Sequence, residues 1–303
     1  MPAQVYKVRQ AQRDQLMEFW QLVGRYSIHI ALLIFSLTAL VPFLVIISAS
    51  LSDETALTLQ GFGILPRDFS TQAYEFILDK PDTLIRAYVV SITITAIGTF
   101  VALAFMTTLS YAISRPKFRM RRFISLFVFF TSIFNGGLVP YYILVTRYLQ
   151  LQDTMLILIL PNLVGVFQVL LLRTFFVQLP EDLFDAARVD GASEFRIFFS
   201  IAIPLAKPAL ATVGLMIALA YWNNWTTALY FIRDSDLYPL QYLLYRIMEN
   251  ANAMALEPQI GGAPLPQLTT RMAMAVLAVG PAAIAFLFVQ RYLVKGITLG
   301  SLK

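Results

Sequence analysis

The chain has 303 residues, 58% of them hydrophobic and only 14% charged, and its mean hydropathy is +0.69, so an ordinary water-soluble domain is excluded. It has no cysteine and one histidine, His29, which rules out a disulfide framework, a thiolate metal site and a histidine-rich metal cluster, and disfavours a catalytic triad. The net charge of +5 reads as the basic bias of membrane loops rather than as a surface for nucleic acid or another polyanion.

The opening segment, residues 1–26, is expected to be cytoplasmic. Within it Leu16, Phe19, Trp20 and Val23 recur near helical spacing among polar residues, which fits an interfacial amphipathic helix or a frayed polar lead-in equally well. Ser27 to Ser48 is the first apolar run, interrupted only by His29, Ser36 and Thr38, and reads as an uncleaved span. His29, one turn into it, reads as an interfacial or helix-packing residue. Further spans are expected at 87–113, 123–145, 155–172, 206–232 and 272–289, six helices in all. Pro42, Pro140, Pro161 and Pro281, with Gly136, Gly137, Gly165 and Gly280, mark expected kinks.

The basic residues decide orientation. Arg115 to Arg122, the N-terminal segment, the 173–200 region and the tail with Arg291, Lys295 and Lys303 are expected inside. The segments 53–82, 147–153 and 233–271 then lie outside, and both termini face the cytoplasm.

Between Asp185 and Pro204 runs DAARVDGASEFRIFFSIAIP, a charged, glycine-broken insert flanked by apolar runs. Pro180, Glu181 and Asp182 predict a helix start, and Gly191 after Asp190 predicts its stop. Ser193 and Glu194 predict a second start, with Pro204 and Pro208 bracketing the next span. The small alanines would let another protein's backbone approach closely; an ordinary connector between spans is the bland alternative.

This insert resembles the EAA signature of bacterial ABC-importer permeases, in which Glu-Ala-Ala precedes Gly-Ala and then Leu-Pro. Asp185, Ala186, Ala187, Asp190, Gly191, Ala192, Phe198 and Pro204 occupy the matching positions, with Asp185 in place of Glu and Ile203 in place of Leu. Further stretches, Phe134 to Pro140, Arg173 to Phe176, Tyr221 to Trp225 and Val294 to Ser301, are similar to the carbohydrate branch of that family, more narrowly to permeases for oligosaccharides and polysaccharide fragments. The resemblance implies an all-α polytopic fold of type I importer kind, with 27–303 as one transmembrane domain and 180–204 as its coupling segment. Asp185 would then contact an ATPase subunit, Gly191 would permit the turn, and Ala186 and Ala187 would pack on that partner. Asp190, Ala192 and Pro204 complete the expected coupling set.

No GxxxxGK[ST] loop occurs, so ATP and magnesium are expected on partner subunits and no cofactor, metal or catalytic residue on this chain. The cores of the expected spans lack Asp, Glu, Lys and Arg, which argues against coupling to an ion gradient. Sugar hydroxyls need hydrogen-bond partners and sugar faces stack on aromatics, so Asn135, Tyr141, Tyr142, Asn162, Gln168, Tyr221, Trp222, Asn223, Asn224 and Trp225 are the candidate solute path. Bridging between helices or membrane-interface anchoring would explain the same residues.

The resemblance therefore implies a multi-pass subunit of a binding-protein-dependent carbohydrate importer in a bacterial cytoplasmic membrane. Its expected partners are a second, related permease, two ATP-binding cassette subunits, an extracytoplasmic solute-binding protein and membrane lipid, with no nucleic acid. An ABC permease for another solute class is the nearest rival, and a secondary carrier the next.

Overall fold

The computed structural model describes residues 2–79, 81–256 and 267–299, with side chains at 24–79, 81–250, 267–287 and 290. The side chains of Leu16, Phe19, Trp20, Val23 and the Val294 to Ser301 stretch lie outside the described set. Among the described residues the chain is helical throughout, and its one β contact is an isolated bridge between Ser52 and Phe69. Among the described residues four segments are long and apolar enough to cross a membrane: Gly24–Ser50, Pro81–Ser114, Glu194–Trp222 and Leu268–Leu287. Two broken pairs, Arg121–Ile133 with Leu138–Tyr148 and Met155–Asn162 with Val166–Gln178, bring the number to six if each counts as one crossing.

The chain divides into two compact units. The first comprises Met1–Phe76 and Pro266–Val276. Helix α1, Pro2–Ser50, is unbroken from the opening segment through the first span, with Pro42 inside it. The hydroxyls of Ser36 and Thr38 donate to the carbonyls of Leu32 and Ile34, which satisfies them where no water is at hand. The His29 ring, through Nδ1, bonds the Arg25 carbonyl in the same way. Asp53 caps α2 (Glu54–Gln60), its Oδ1 accepting from the N–H groups of Thr55 and Ala56. Helix α3, Gln72–Ile77, is tied back by the Tyr74 hydroxyl, 2.9 Å from Ser50 Oγ. Glu54 reaches far along the sequence: its carboxylate accepts from the N–H of Leu268 and of Thr269 and from the Thr269 hydroxyl, capping the start of the last helix.

The second unit comprises Ile77–Leu265 and Leu277–Lys303. Its axis is α4 (Pro81–Ser114), which begins on a proline suited to a first turn. Next in the chain come α5 (Arg121–Ile133), α6 (Leu138–Ile143), α7 (Met155–Ile159), α8 (Val166–Gln178), α9 (Glu181–Val189) and α10 (Glu194–Ile197). They are followed by α11 (Ile203–Trp222), α12 (Thr226–Phe231), α13 (Leu240–Leu256) and α14 (Leu268–Leu299). Helix α4 packs against α11 and α8 most extensively. It approaches α11 at a glycine, since a Cβ on Gly98 would fall 2.6 Å from the Tyr221 ring. Met106, Ile113, Leu172, Phe176, Phe184, Ile197, Val213 and Tyr221 form the core of this packing.

Two of the expected spans are drawn differently. The third is bent by 111° between Ile133 and Leu138. The Asn135 side chain accepts from the Gly137 N–H at 2.8 Å, and Gly137 takes φ +89°, so the Asn-Gly-Gly run folds as a turn rather than a mild kink. The fifth begins at Glu194 instead of near 206 and stops at Trp222 instead of 232. At its start the helix widens into a π-turn over Phe198–Ala202, which carries it past Pro204, a residue with no N–H to give. At its end Asn224 accepts from the Thr227 N–H and starts α12 afresh.

Pro281 sits inside α14 and so deprives the Leu277 carbonyl of its helical partner. The Tyr88 hydroxyl donates to that carbonyl at 3.0 Å, and Trp222 Nε1 donates to the next one, of Ala278, also at 3.0 Å. Similarly, the Tyr221 hydroxyl donates to the Ile159 carbonyl at 2.8 Å, where α7 gives way to a 3₁₀ turn at Pro161.

Candidate functional site

Pro180, at φ −57°, leads the chain into α9, and Glu181 and Asp182 occupy its first turn, where the helix dipole favours carboxylates. Phe184 is the one residue of α9 fully buried in the unit's core. Asp185, Ala186 and Val189 are exposed, Val189 at 87%, while Ala187 is half-buried. The helix ends as expected. The N–H groups of Asp190, Gly191 and Ala192 return to the carbonyls of Ala186, Arg188 and Ala187, and Gly191 takes φ +77°. Ser193 Oγ then accepts from the Arg196 N–H and opens α10. Phe195 and Phe199 face outward, whereas Phe198 is buried beside Tyr111, with ring centroids 4.9 Å apart. Pro204 is exposed in the first turn of α11.

The two arms of this turn are joined by charge. Arg188 donates from Nε to Glu194 at 2.8 Å and from Nη1 to Asp185 at 2.7 Å and Glu181 at 3.3 Å. Lys117 adds a longer contact to Asp185, at 3.5 Å. The Arg188 hydrogen bond, helped by Lys117, holds the Asp185 carboxyl below its ordinary range. The carboxylates of Glu194, Asp185 and Glu181 raise Arg188, which therefore stays charged at any working pH. Arg115 is buried against the same cluster and reaches Glu181 Oε2 at 3.2 Å.

The expected path residues are spread over several elements of the second unit. Asn135 is exposed and spends its side-chain oxygen on the Gly137 turn. Tyr141 meets the Phe231 ring edge-on, with Tyr142 stacked on the same ring. Asn162 lies in the 3₁₀ turn between α7 and α8. Gln168 folds back over the start of α8, where a Cβ on Gly165 would fall 2.1 Å from its Oε1. Asn223 donates to Leu219 and Asn224 to the Thr227 hydroxyl. Trp225 stacks on Tyr245 at 4.5 Å. Trp222 is buried and lines an apolar groove of about 270 Å³ with Ile92, Thr95 and Ala285. Asp153, in the loop before α7, accepts from the N–H groups of Arg233 and Asp234, which lowers its pKa and pins that loop to the one after α12.

Residues 112–299 match the family described as binding-protein-dependent transport system inner membrane component. The chain is a member of that family. Among curated relatives it is 35% identical to the polygalacturonan/rhamnogalacturonan transport system permease protein YtcP of Bacillus subtilis (strain 168), over 90% of this chain and 95% of that one. It is 29% identical to the arabinooligosaccharides transport system permease protein AraQ of Halalkalibacterium halodurans, over 88% of this chain and 91% of that one. A solved bacterial ABC transporter involved in the import of the acidic polysaccharide alginate shares its fold, with a TM-score of 0.72 and 31% identity over 87% of this chain and 94% of that chain. As a permease of this family the chain is a membrane component. The expected coupling residues Asp185, Ala186, Ala187, Asp190, Gly191 and Ala192 lie together on one helix–turn, with Pro204 further on in α11. Sequence reasoning singled out neither Arg188 nor the link to Arg115. Glu181, Asp185 and Arg188 share one helix face by their spacing, a signal that was available; Arg115 lies 66 residues before Glu181, and nothing in the sequence pairs them.

Proposed function

We propose that this permease forms one membrane half of an ATP-driven importer that carries an oligosaccharide, and that α9 with its following turn docks on a separate ATPase subunit. The observation that carries this reading is the form of the 181–197 segment: a short helix whose small and apolar side chains Ala186 and Val189 face outward, anchored by the single buried Phe184. An exposed apolar tip on a braced turn suits insertion into a cleft of another protein. The cargoes named for the relatives, polygalacturonan/rhamnogalacturonan, arabinooligosaccharides and alginate, support carbohydrate over other solutes.

In this reading ATP and magnesium reside on the ATPase subunits and this chain binds neither. A second, related permease completes the membrane path, and a solute-binding protein delivers the sugar from outside. Both termini and α9 face the cytoplasm. ATP binding would draw the docked α9 segments together and open the path outward, and hydrolysis would reset it.

The test is co-purification of the ATPase subunit with the full chain and its partner permease, comparing wild type with Val189→Glu. A charge at that tip should release the ATPase while the two permeases stay paired. Retention of the ATPase would sink the docking assignment. Uptake by liposomes bearing the full importer should be seen for maltotriose or trigalacturonate and not for glutamine; the reverse would sink the carbohydrate assignment.

A further inference from the structure

Arg115 follows the last turn of α4 with only 6% of its surface exposed. A guanidinium buried to that degree needs its donors filled. Nε donates to Ser114 Oγ at 3.0 Å, Nη2 to the Phe176 carbonyl in the last turn of α8, and Nη1 to Glu181 Oε2 at 3.2 Å. Its plane lies over the Phe184 ring, 4.3 Å from the centroid, and 5.1 Å from that of Tyr111. One side chain thus fastens three helices, and two of its partners, Glu181 and Phe184, belong to α9.

Helix α9 also seats Phe184 in the core and meets Lys117 through Asp185, and its two ends are where it can tilt. Pro180 precedes it and Gly191, at φ +77°, follows it, so each end is a place where backbone direction changes. Its second fastening, Arg188 to Glu194, leads into α10 and through the π-turn into α11. Helices α4 and α11 are packed against each other. The arrangement lets a push on α9 reach both, provided α9 does not swing independently of α4.

Resting on the reading of α9 as the docking element, we propose that Arg115 is the positioning residue that makes α9 move as one body with the adjoining ends of α4 and α8. A guanidinium is suited to this because its planar fork meets a carbonyl, a hydroxyl and a carboxylate at once while its face stacks on a ring. A lysine ammonium keeps the charge but loses the fork and the stacking.

The experiment measures cargo transported per ATP hydrolysed by the importer assembled in liposomes from the full chain with its partner permease, ATPase subunits and binding protein. The cargo probe is whichever of maltotriose and trigalacturonate the wild type takes up. Arg115→Lys and Glu181→Gln should each lower that ratio about fivefold or more, with ATPase subunits still co-purifying in wild-type amounts. Glu181→Gln guards against a folding defect, because it leaves the Phe176 and Ser114 bonds of Arg115 in place. An unchanged ratio in both variants overturns the proposal. So does loss of the ATPase from the Arg115→Lys complex with a normal ratio in Glu181→Gln, which would make Arg115 a structural residue only. Retention of the ATPase by Val189→Glu would overturn the docking reading and this inference with it, whereas release by Val189→Glu with unchanged ratios here overturns this inference alone.

Discussion

Nε of Arg188 lies 2.8 Å from Oε1 of Glu194, across the turn that joins α9 to α10. The same side chain holds Asp185 and Glu181 from its own helix, so one cation closes a loop of three acids around Gly191. Replacing Arg188 by Gln leaves three carboxylates facing one another with only Lys117 and Arg115 nearby. Amide exchange at residues 190–193 should then quicken several-fold, and the increase should shrink in high salt, where carboxylate repulsion is screened.

The pH dependence of this turn has a definite sign. The Asp185 carboxyl is depressed by its Arg188 hydrogen bond, so its pairing is fully present above the ordinary carboxylate pKa and is lost as pH falls through the depressed folded value. The side-chain carbon resonance of Asp185 should therefore titrate below about 3.9, the value of an unperturbed aspartate. In Arg188→Gln the midpoint should move back up toward that value. A midpoint unchanged by the substitution would mean that Arg188 does not hold the carboxylate in solution.

Gly191 is needed for its backbone angle alone, since no atom beyond its two chain neighbours lies within 4 Å of the place a Cβ would take. Gly191→Ala should cost about 1 kcal/mol, the penalty for a side chain in the left-handed region. Proline fixes φ near −65° and removes the N–H that donates to the Arg188 carbonyl, so Gly191→Pro should cost about 3 kcal/mol or more. Thermal unfolding of the full chain in lipid nanodiscs orders the two variants.

At the Pro281 break, Tyr88→Phe strands the Leu277 carbonyl and Trp222→Phe the hydrogen bond to Ala278. Tyr88→Phe should destabilise by about 1–3 kcal/mol, because the Leu277 carbonyl loses its donor, and Trp222→Phe by about 0.5–1.5 kcal/mol, because the Ala278 carbonyl keeps the helical position of Ala282. The two donors serve adjacent carbonyls of one helix turn, so the double variant should depart from additivity. A double-mutant cycle on unfolding midpoints measures the departure.

Glu54→Ala removes an acceptor from two backbone N–H groups and one hydroxyl at the start of α14. The expected loss is about 1–2 kcal/mol, that of a helix N-cap. Glu54→Gln keeps one oxygen and should lose less. Equal loss in both would assign the effect to the charge rather than to the cap.

The sequence was informative wherever a single segment determines its own structure. Apolar runs located the crossings, and Gly191 and Ser193 marked the end of one helix and the start of the next. It misled where neighbouring turns compete: Pro204 and Pro208 read as bracketing the entry to a span near residue 206, yet the π-turn at Phe198–Ala202 lets the helix begin at Glu194. Gly136, Gly137 and Pro140 read as a kink, and the chain bends by 111° there, because an Asx hydrogen bond from Asn135 and a positive φ at Gly137 act together. The candidate path residues stand out in the sequence as polar and aromatic groups inside apolar runs. Asn223 and Asn224 bond to Leu219 and Thr227 close by in the chain, whereas Trp222 donates to Ala278, a distant residue that no pattern in the sequence pairs with it. The burial of Arg115 was hidden for the same reason, as it sits in a basic run that looks like a solvated loop.

The cap that Glu54 places on α14 spans 214 residues of chain. A ribosome adding about 5–20 residues each second needs roughly 10–40 s between making the acceptor and making its donors. Throughout that interval the loop after the first span lacks this fastening, and it gains it only once the start of the last crossing has been made. Protease attack near residue 54 should therefore distinguish a chain that ends before Leu268 from the full chain, so this single carboxylate ties the first part of the protein to have been made to one of the last.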